Sequence, residues 1–280
     1  MLVPFRKMHG LGNDFIVIDA RVLPPRSAPL AMSAVRAAAL AERRTGIGCD
    51  QLIVLEPSDS ADVRMRIFNA DGSEVEACGN AARAVGLLLG GEQRIETLGG
   101  EITSTATIAG ASVDMGPARF DWDAIPLSFA MDTLAMPVGW EDLENPAAVN
   151  VGNPHVVFFV PDADAVDLAR LGPMIETDPL FPEKVNVGVA SVVRRASAAG
   201  PSRIKLRVWE RGAGLTRACG TGACAAAVLA LRRRLVTGPV QVDLPGGPLE
   251  VTWAEGGTIL MTGPAAHSFS GTFDDADYPL

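Results

Sequence analysis

The sequence predicts an α+β protein of two pseudo-symmetric domains, each mostly strand around one central helix. Three observations lead there. The first is size: 280 residues with 48% hydrophobic and 20% charged positions can bury a large core, at the practical limit for a single one, so two domains of roughly 140 residues are expected. The second is an internal repeat with an offset close to half the chain. The third is a change of period within each half, from alternating strand to apolar helix. The 29 Gly and 20 Pro supply many turns without reaching a disordered composition.

The repeat appears in three blocks in the same order. Gly12-Asn13 followed by Phe15-Ile-Val-Ile18 matches Gly152-Asn153 followed by Val156-Val-Phe-Phe159, at offset 140. Val63-Arg-Met-Arg-Ile-Phe-Asn69 matches Ile204-Lys-Leu-Arg-Val-Trp-Glu210 at offset 141, and the same offset carries Ala77-Cys78-Gly79 onto Ala218-Cys219-Gly220. Leu98-Gly-Gly-Glu-Ile102 matches Pro245-Gly-Gly-Pro-Leu249 at offset 147. Chance likeness among Gly- and Ala-rich segments explains one block, not three in order; this is a duplicated domain.

The elements follow in order. Strands are expected at Asp14–Ile18, Gln51–Leu55 and Val63–Phe68, and in the second half at Val156–Val160, Val185–Val193 and Ile204–Trp209. Residues 63–67 and 204–208 alternate apolar with basic, as half-buried strands do. After the turns Asn69-Ala-Asp-Gly72 and Glu210-Arg-Gly-Ala213, small-and-apolar helices are expected over Gly79–Leu89 and Gly220–Leu235. Val-, Thr- and Gly-rich strand segments follow at 95–115 and 239–262. Residues 117–147, with several prolines, read as the crossover between halves. The tail from His267 has no counterpart in the first half and fits a terminal strand returning to it.

Composition excludes several functions. A formal charge of −9, with Arg232, Arg233 and Arg234 as the one basic cluster, argues against nucleic acid. The longest apolar run, Ala223 to Leu231, is far below the roughly 18 residues of a membrane span. The start lacks the pattern of a signal peptide, so a cytoplasmic protein is the expectation. Cys49, Cys78, Cys219 and Cys224 are too few for a disulfide scaffold. With His9, His155 and His267 scattered, no metal site is expected.

Two of the thiols sit at helix starts. Cys78-Gly and Cys219-Gly each stand where an apolar helix begins, near the positive end of its dipole, which can lower a thiol from its ordinary pKa of about 8.5. Free first-turn amides at Gly79, Asn80, Gly220 and Thr221 suit a carboxylate or phosphate. If the duplicated halves face each other, the two sulfurs oppose across one bound molecule. Inverting a stereocentre α to a carboxylate needs a proton removed from one face and delivered to the other, which a thiolate and a thiol accomplish without a cofactor. The helix ends would stabilise the developing charge. Isolated cysteines at helix starts are more often small buried hydrophobes, but symmetric placement in a repeat favours function. Cys224, one turn into its helix, and Cys49 read as packing residues.

Two lookalikes carry less weight. Gly220-Thr-Gly-Ala-Cys-Ala225 with Asp243 imitates a dinucleotide fingerprint, but Arg211 to Arg217 is polar and Gly-rich where a buried strand is required. A Cys219–His155 nucleophile pair leaves Cys78 and the duplication unexplained.

His9-Gly-Leu-Gly-Asn-Asp-Phe15, Phe68-Asn-Ala-Asp-Gly-Ser-Glu74, Ala77-Cys-Gly-Asn80, Gly152-Asn-Pro-His155, Val208-Trp-Glu-Arg-Gly-Ala-Gly214 and Ala218-Cys-Gly-Thr-Gly-Ala223 together resemble diaminopimelate epimerase, over nearly the whole chain. The resemblance implies a cofactor-independent isomerase that interconverts LL- and meso-2,6-diaminopimelate in lysine and cell-wall precursor synthesis. It also implies two similar domains, each a mostly antiparallel sheet wrapped around a central helix, with the active site in the cleft between them, and a homodimer. The domains would be residues 1–117 with the tail 265–280, and residues 118–264. Cys78 and Cys219 match the catalytic pair. Gly79, Asn80, Gly220 and Thr221 match the grip on the reacting-end carboxylate. Asn13, Gln51, Asn69, Asn153, Asn186, Glu210 and Arg211 match the other substrate contacts, and Arg211 suits a distal carboxylate by bidentate pairing. His155 and Glu210 match residues that tune the cysteines. Ala81, Thr221 and Phe269 stand where the family commonly has Gly, Ser and Tyr. A proline or hydroxyproline racemase-like two-cysteine enzyme is the alternative, against which the Glu210-Arg211 and Asn153-Pro-His155 segments offer a distal site that a one-carboxylate substrate does not need. A binding relative would have lost a thiol, and both are present.

Overall fold

A computed structural model of the chain describes residues 1–23, 30–76, 78–108, 110–198 and 200–278. Ala77, the first residue of one cysteine motif, lies outside them. The chain separates into two compact units, one of Met1–Val113 with Gly263–Leu280, the other of Asp114–Thr262.

In the first unit, Asn13–Asp19 runs parallel to Gln51–Glu56, which is antiparallel to Val63–Asn69. Val63–Asn69 turns back into the short strand Glu74–Val75 and lies parallel to Glu92–Thr97, itself antiparallel to Gly100–Thr107. Leu2–Gly10 pairs with Asn13–Asp19 on one side and with the terminal strand Ala266–Asp274 on the other. Helix α1 (Ala34–Ala41) begins at Ser33, whose hydroxyl caps the Arg36 amide. Its Ala37 and Leu40 join Ile16, Ile18, Leu52, Val54 and Phe68 in one buried cluster. Helix α2 (Gly79–Leu89) packs on Leu2–Gly10 and Gly100–Thr107, and Ala81, Ala82, Ala84 and Val85 are fully buried.

The second unit repeats this order. Pro154–Phe159 is parallel to Asn186–Arg194, which is antiparallel to Ser202–Glu210. Ser202–Glu210 turns back into Gly214–Leu215 and lies parallel to Val240–Leu244, itself antiparallel to Gly247–Thr252. Helix α3 (Leu168–Glu176) lies against the strands Asn186–Arg194 and Ser202–Glu210. Helix α4 (Gly220–Arg232) holds the core position, and Ala223 through Ala230 have no exposed surface. It stops three residues short of the expected Leu235: Arg233 caps it, and Arg234 takes a positive φ of 56°.

The α/β class and the central helix of each half are as the sequence predicts, with the sheets mixed in direction. Among the described residues, no helix is long and apolar enough to cross a membrane.

Candidate active site

Each central helix begins at a cysteine that caps it. Cys78 has extended backbone (φ −147°, ψ 110°), and its sulfur accepts the Ala81 amide at 3.4 Å. Cys219 does the same (φ −111°, ψ 108°), accepting the Gly222 amide at 3.3 Å. Gly222 is required there, since a Cβ would stand 2.9 Å from a Val208 methyl and 3.1 Å from the Cys219 sulfur. With the sulfur as cap, the remaining first-turn amides point outward with the positive end of the dipole.

The strands next to each helix bring a matching row of residues. In the first unit Phe15 lies opposite Gln51, and Gln51 opposite Asn69. In the second, His155 lies opposite Asn186, and the register of Val187 with Trp209 puts Glu210 opposite Asn186. The rows correspond, yet their chemistry differs.

Around Cys78 the partners are neutral amides. The Asn13 carbonyl oxygen lies 4.0 Å from the sulfur and accepts the Asn80 amide at 3.3 Å. Gln51 Nε2 donates to Asn69 Oδ1 at 3.1 Å, while Gln51 Oε1 is buried with no partner among the described residues. An acceptor of this kind suits an incoming ammonium group.

Around Cys219 the partners titrate. Its thiol lies within reach of the Glu210 charge and 3.6 Å from the Thr221 hydroxyl. Burial, then the Glu210 charge, pushes this thiol well above its ordinary value. The helix start alone would lower it; in this resting arrangement burial wins. Burial also raises Glu210, opposed by its bonds from Thr216 and Cys219. His155 is fully buried, and burial, helped by the Arg211 charge, lowers it to about 3. Its Nε2 bonds Asn153 Oδ1 at 2.9 Å, leaving Nδ1 buried without a partner among the described residues. Neutral at physiological pH, His155 acts on its surroundings by hydrogen bonding rather than by charge. Asn186 accepts the Arg211 backbone amide at 2.9 Å and donates to the Pro154 carbonyl at 2.9 Å. The exposed Arg211 guanidinium donates to the Glu183 carbonyl at 2.9 Å.

Cys49 and Cys224 are buried, and burial raises Cys49 to about 11, consistent with packing roles. A cavity of about 630 Å³ on the second unit is lined by Arg203, Lys205, Arg207 and Asp243 rather than by any of these residues. Its basic groups are already engaged, Arg203 with Asp243 and Lys205 with Asp164. Among the described residues no group of three His, Cys, Asp or Glu side chains could hold a metal ion.

The model of the family described as diaminopimelate epimerase matches residues 5–121 and 147–268. The chain belongs to the diaminopimelate epimerase family. A diaminopimelate epimerase of Erythrobacter litoralis is 64% identical over 280 residues, covering 99% of this chain and 100% of its own. One of Rhizorhabdus wittichii is 65% identical over 274 residues (98% and 96%), and one of Zymomonas mobilis 56% over 279 (99% and 100%). Solved structures share the fold. A Bacillus anthracis phenazine biosynthesis protein of the PhzF family superposes with a TM-score of 0.67 at 15% identity, covering 98% of this chain and 99% of its own. A hydroxyproline epimerase from Agrobacterium vitis, with bound trans-4-hydroxy-L-proline, gives 0.62 at 15% (97% and 91%).

The residues of the family motifs group within each unit, around Cys78 in the first and around Cys219 in the second, and three supporting groups escape sequence reading. Glu176, at the end of α3 and 6% exposed, accepts Trp209 Nε1 at 2.7 Å and the Gly212 amide at 3.0 Å, bracketing Glu210 and Arg211. Asp50 accepts from Asn13 at 3.2 Å. Arg83, fully buried, donates to Asn80 at 2.9 Å. A lone charge inside an otherwise apolar helix was a readable signal for Arg83; nothing local marks the other two.

Proposed function

We propose that this chain interconverts LL- and meso-2,6-diaminopimelate without pyridoxal phosphate or any other cofactor, using Cys78 and Cys219 as the two acid/base groups. The observation that carries the reading, beyond family membership, is the duplicated cysteine cap: one sulfur per half, each capping the start of that half's central helix. One thiolate takes the α-proton from one face of the substrate while the other thiol delivers a proton to the opposite face. The C–H bond electrons pass into the carboxylate as an enediolate-like charge, and collapse of that charge onto the new C–H bond inverts the centre. Atoms balance with one proton in and one out, and the two cysteines exchange protonation states.

Gly79, Asn80, Gly220 and Thr221 supply amides for the reacting-end carboxylate. Asn13, Gln51, Asn69, Asn153 and Asn186 orient ammonium and carboxylate groups without adding charge, and Arg211 pairs the distal carboxylate. Glu210, whose charge acts on Cys219, and His155, a buried neutral imidazole in the same half, set that thiol's proton affinity. The two halves close over one substrate, in a chain that works in the cytoplasm as a homodimer within lysine and peptidoglycan precursor synthesis. A one-carboxylate substrate such as hydroxyproline is the rival, and it offers Arg211 no distal carboxylate to pair.

Solvent-deuterium exchange tests this. With LL-diaminopimelate under reducing conditions, deuterium enters the α-carbon and the meso isomer accumulates, whereas free proline is left unlabelled. Labelled proline with unlabelled diaminopimelate would reverse the assignment.

A further inference from the structure

One line of polar side chains crosses the first unit from the interior of α2 to the surface. Arg83 Nη2 donates to Asn80 Oδ1 at 2.9 Å, and Asn80 Nδ2 donates to Asn13 Oδ1 at 3.3 Å. Asn13 Nδ2 donates to Asp50 Oδ2 at 3.2 Å, an oxygen that also takes the Asp14 amide at 3.1 Å. Arg43 closes the outer end, donating to Asp50 at 2.7 Å and to both oxygens of Asp14 at 2.6 and 3.1 Å, with Lys7 2.5 Å from Asp14.

The two ends of this line have fixed polarity. A guanidinium only donates, and a carboxylate only accepts. Between them each asparagine has one permitted orientation. Asn80 turns its oxygen to Arg83 and so its nitrogen to Asn13. Asn13 turns its nitrogen to Asp50 and so its oxygen to Asn80 and the Cys78 sulfur. With an amide in place of Asp50, a single oxygen would have to serve Asn13, the Asp14 amide and Arg43, which Asp50 serves with two, so the outer end would no longer hold Asn13 in one orientation.

We propose that Asp50 and Arg83 are positioning residues for the epimerisation, acting through Asn13 and Asn80 to fix which atom of each amide faces the Cys78 site. The inference rests on the proposed function, because it takes Asn13 and Asn80 as substrate-contacting groups. It adds a requirement for a donor-only group at one end and an acceptor-only group at the other.

A double-mutant cycle tests it. Asp50 is 43% exposed in its side chain, so Asp50→Asn is close to isosteric at a site that tolerates change. The variant is expected to lose about 10- to 100-fold in kcat/KM for LL-diaminopimelate, the range of one charge-assisted hydrogen bond, while melting near the wild-type temperature. Asp50→Glu, which keeps an acceptor-only end, restores part of the loss. In an Asn13→Ala background Asp50→Asn changes nothing further. A parallel cycle with Arg83→Gln, which puts an amide at the donor-only end, and Asn80→Ala covers the buried end, should either variant fold poorly. Equal losses in both backgrounds, or an Asp50→Asn enzyme with wild-type kcat/KM, would overturn the inference. A folded wild-type chain that leaves LL-diaminopimelate unchanged overturns the functional reading itself, and this inference with it.

Discussion

His155 is where a single residue's environment decides a measurable property. It is buried on a strand whose neighbours are apolar, and its ring meets Asn153 rather than a carboxylate. Burial therefore sets its proton affinity at about 3, against an ordinary 6.5. Between those values the unfolded chain binds a proton that the folded chain refuses, so acid favours unfolding. The stability this group contributes is complete above about pH 6.5 and is lost as pH falls toward 3, with a slope of at most about 1.4 kcal/mol per pH unit. Urea denaturation between pH 4 and 8 should show a shallower acid slope in His155→Gln than in the wild type. Identical slopes would mean that His155 does not stay neutral in the fold. The sequence places this histidine beside Asn153 in a motif. It does not tell that the side chain is sealed from water, because burial depends on tertiary packing, with Asn186 of a distant strand on one side and Val149 of the adjacent one on the other.

At the level of elements, the strands with alternating patterns and the continuous apolar runs were legible, and the short or interrupted ones were not. Residues 63–67 and 204–208 present one basic face and one apolar face, and both form the strands expected of them. Leu2–Gly10 alternates exposed and buried positions over residues 2–7, but its letters hide this, since Leu2 to Phe5 are all apolar and Arg6 and Lys7 both basic. The structure accommodates Pro4 where the strand is paired on one side only, since pairing with Asn13–Asp19 begins at Arg6. Helices α1 and α3 escaped because they are short: eight and nine residues, with a proline inside α3, give periodicity little room. Helix α3 matters to the site, because Glu176 at its end holds Trp209 and Gly212 on either side of Glu210 and Arg211. Gly172 permits that docking: a Cβ there would lie 2.5 Å from Trp209 Cγ, a ring atom near the backbone that cannot swing away. Gly172→Ala is expected to cost about 1–3 kcal/mol, the usual range for overpacking, and to lower kcat/KM by displacing the 209–212 turn. Thermal melting checks the first effect, and Trp209→Leu in the same chain should relieve it. Melting of Gly172→Ala within a degree of the wild type would show that α3 can slide off the indole freely.

For the whole molecule, duplication explains both what the halves share and how they differ. Helix, cap and strand order recur, so the sulfurs stand at equivalent places. The flanking rows have diverged, Phe15, Gln51 and Asn69 on one side against His155, Asn186 and Glu210 on the other. Cys78 is half-buried among amides, and Cys219 is buried against a carboxylate. Repeated geometry was legible in the sequence because an offset survives as aligned letters. The unequal surroundings were not, because they depend on which side chains register across strands. A two-base mechanism now makes a demand on the molecule that neither half meets alone: both sulfurs must reach one α-carbon from opposite faces. Thiols that face one carbon have only the substrate between them, and with it absent a small approach of the halves brings their Cα atoms into the roughly 4.4–6.8 Å range that a disulfide needs. Mild oxidation of the substrate-free enzyme is therefore expected to join Cys78 to Cys219, with activity lost as the bond forms and regained on reduction. Cys49 and Cys224, 1% and 0% exposed, should stay reduced and give no competing pair. Peptide mapping of the oxidised protein decides the matter. A linked peptide carrying Cys78 and Cys219 supports opposed sulfurs, whereas an inactivated enzyme with both thiols free means that the halves do not present them to the same carbon.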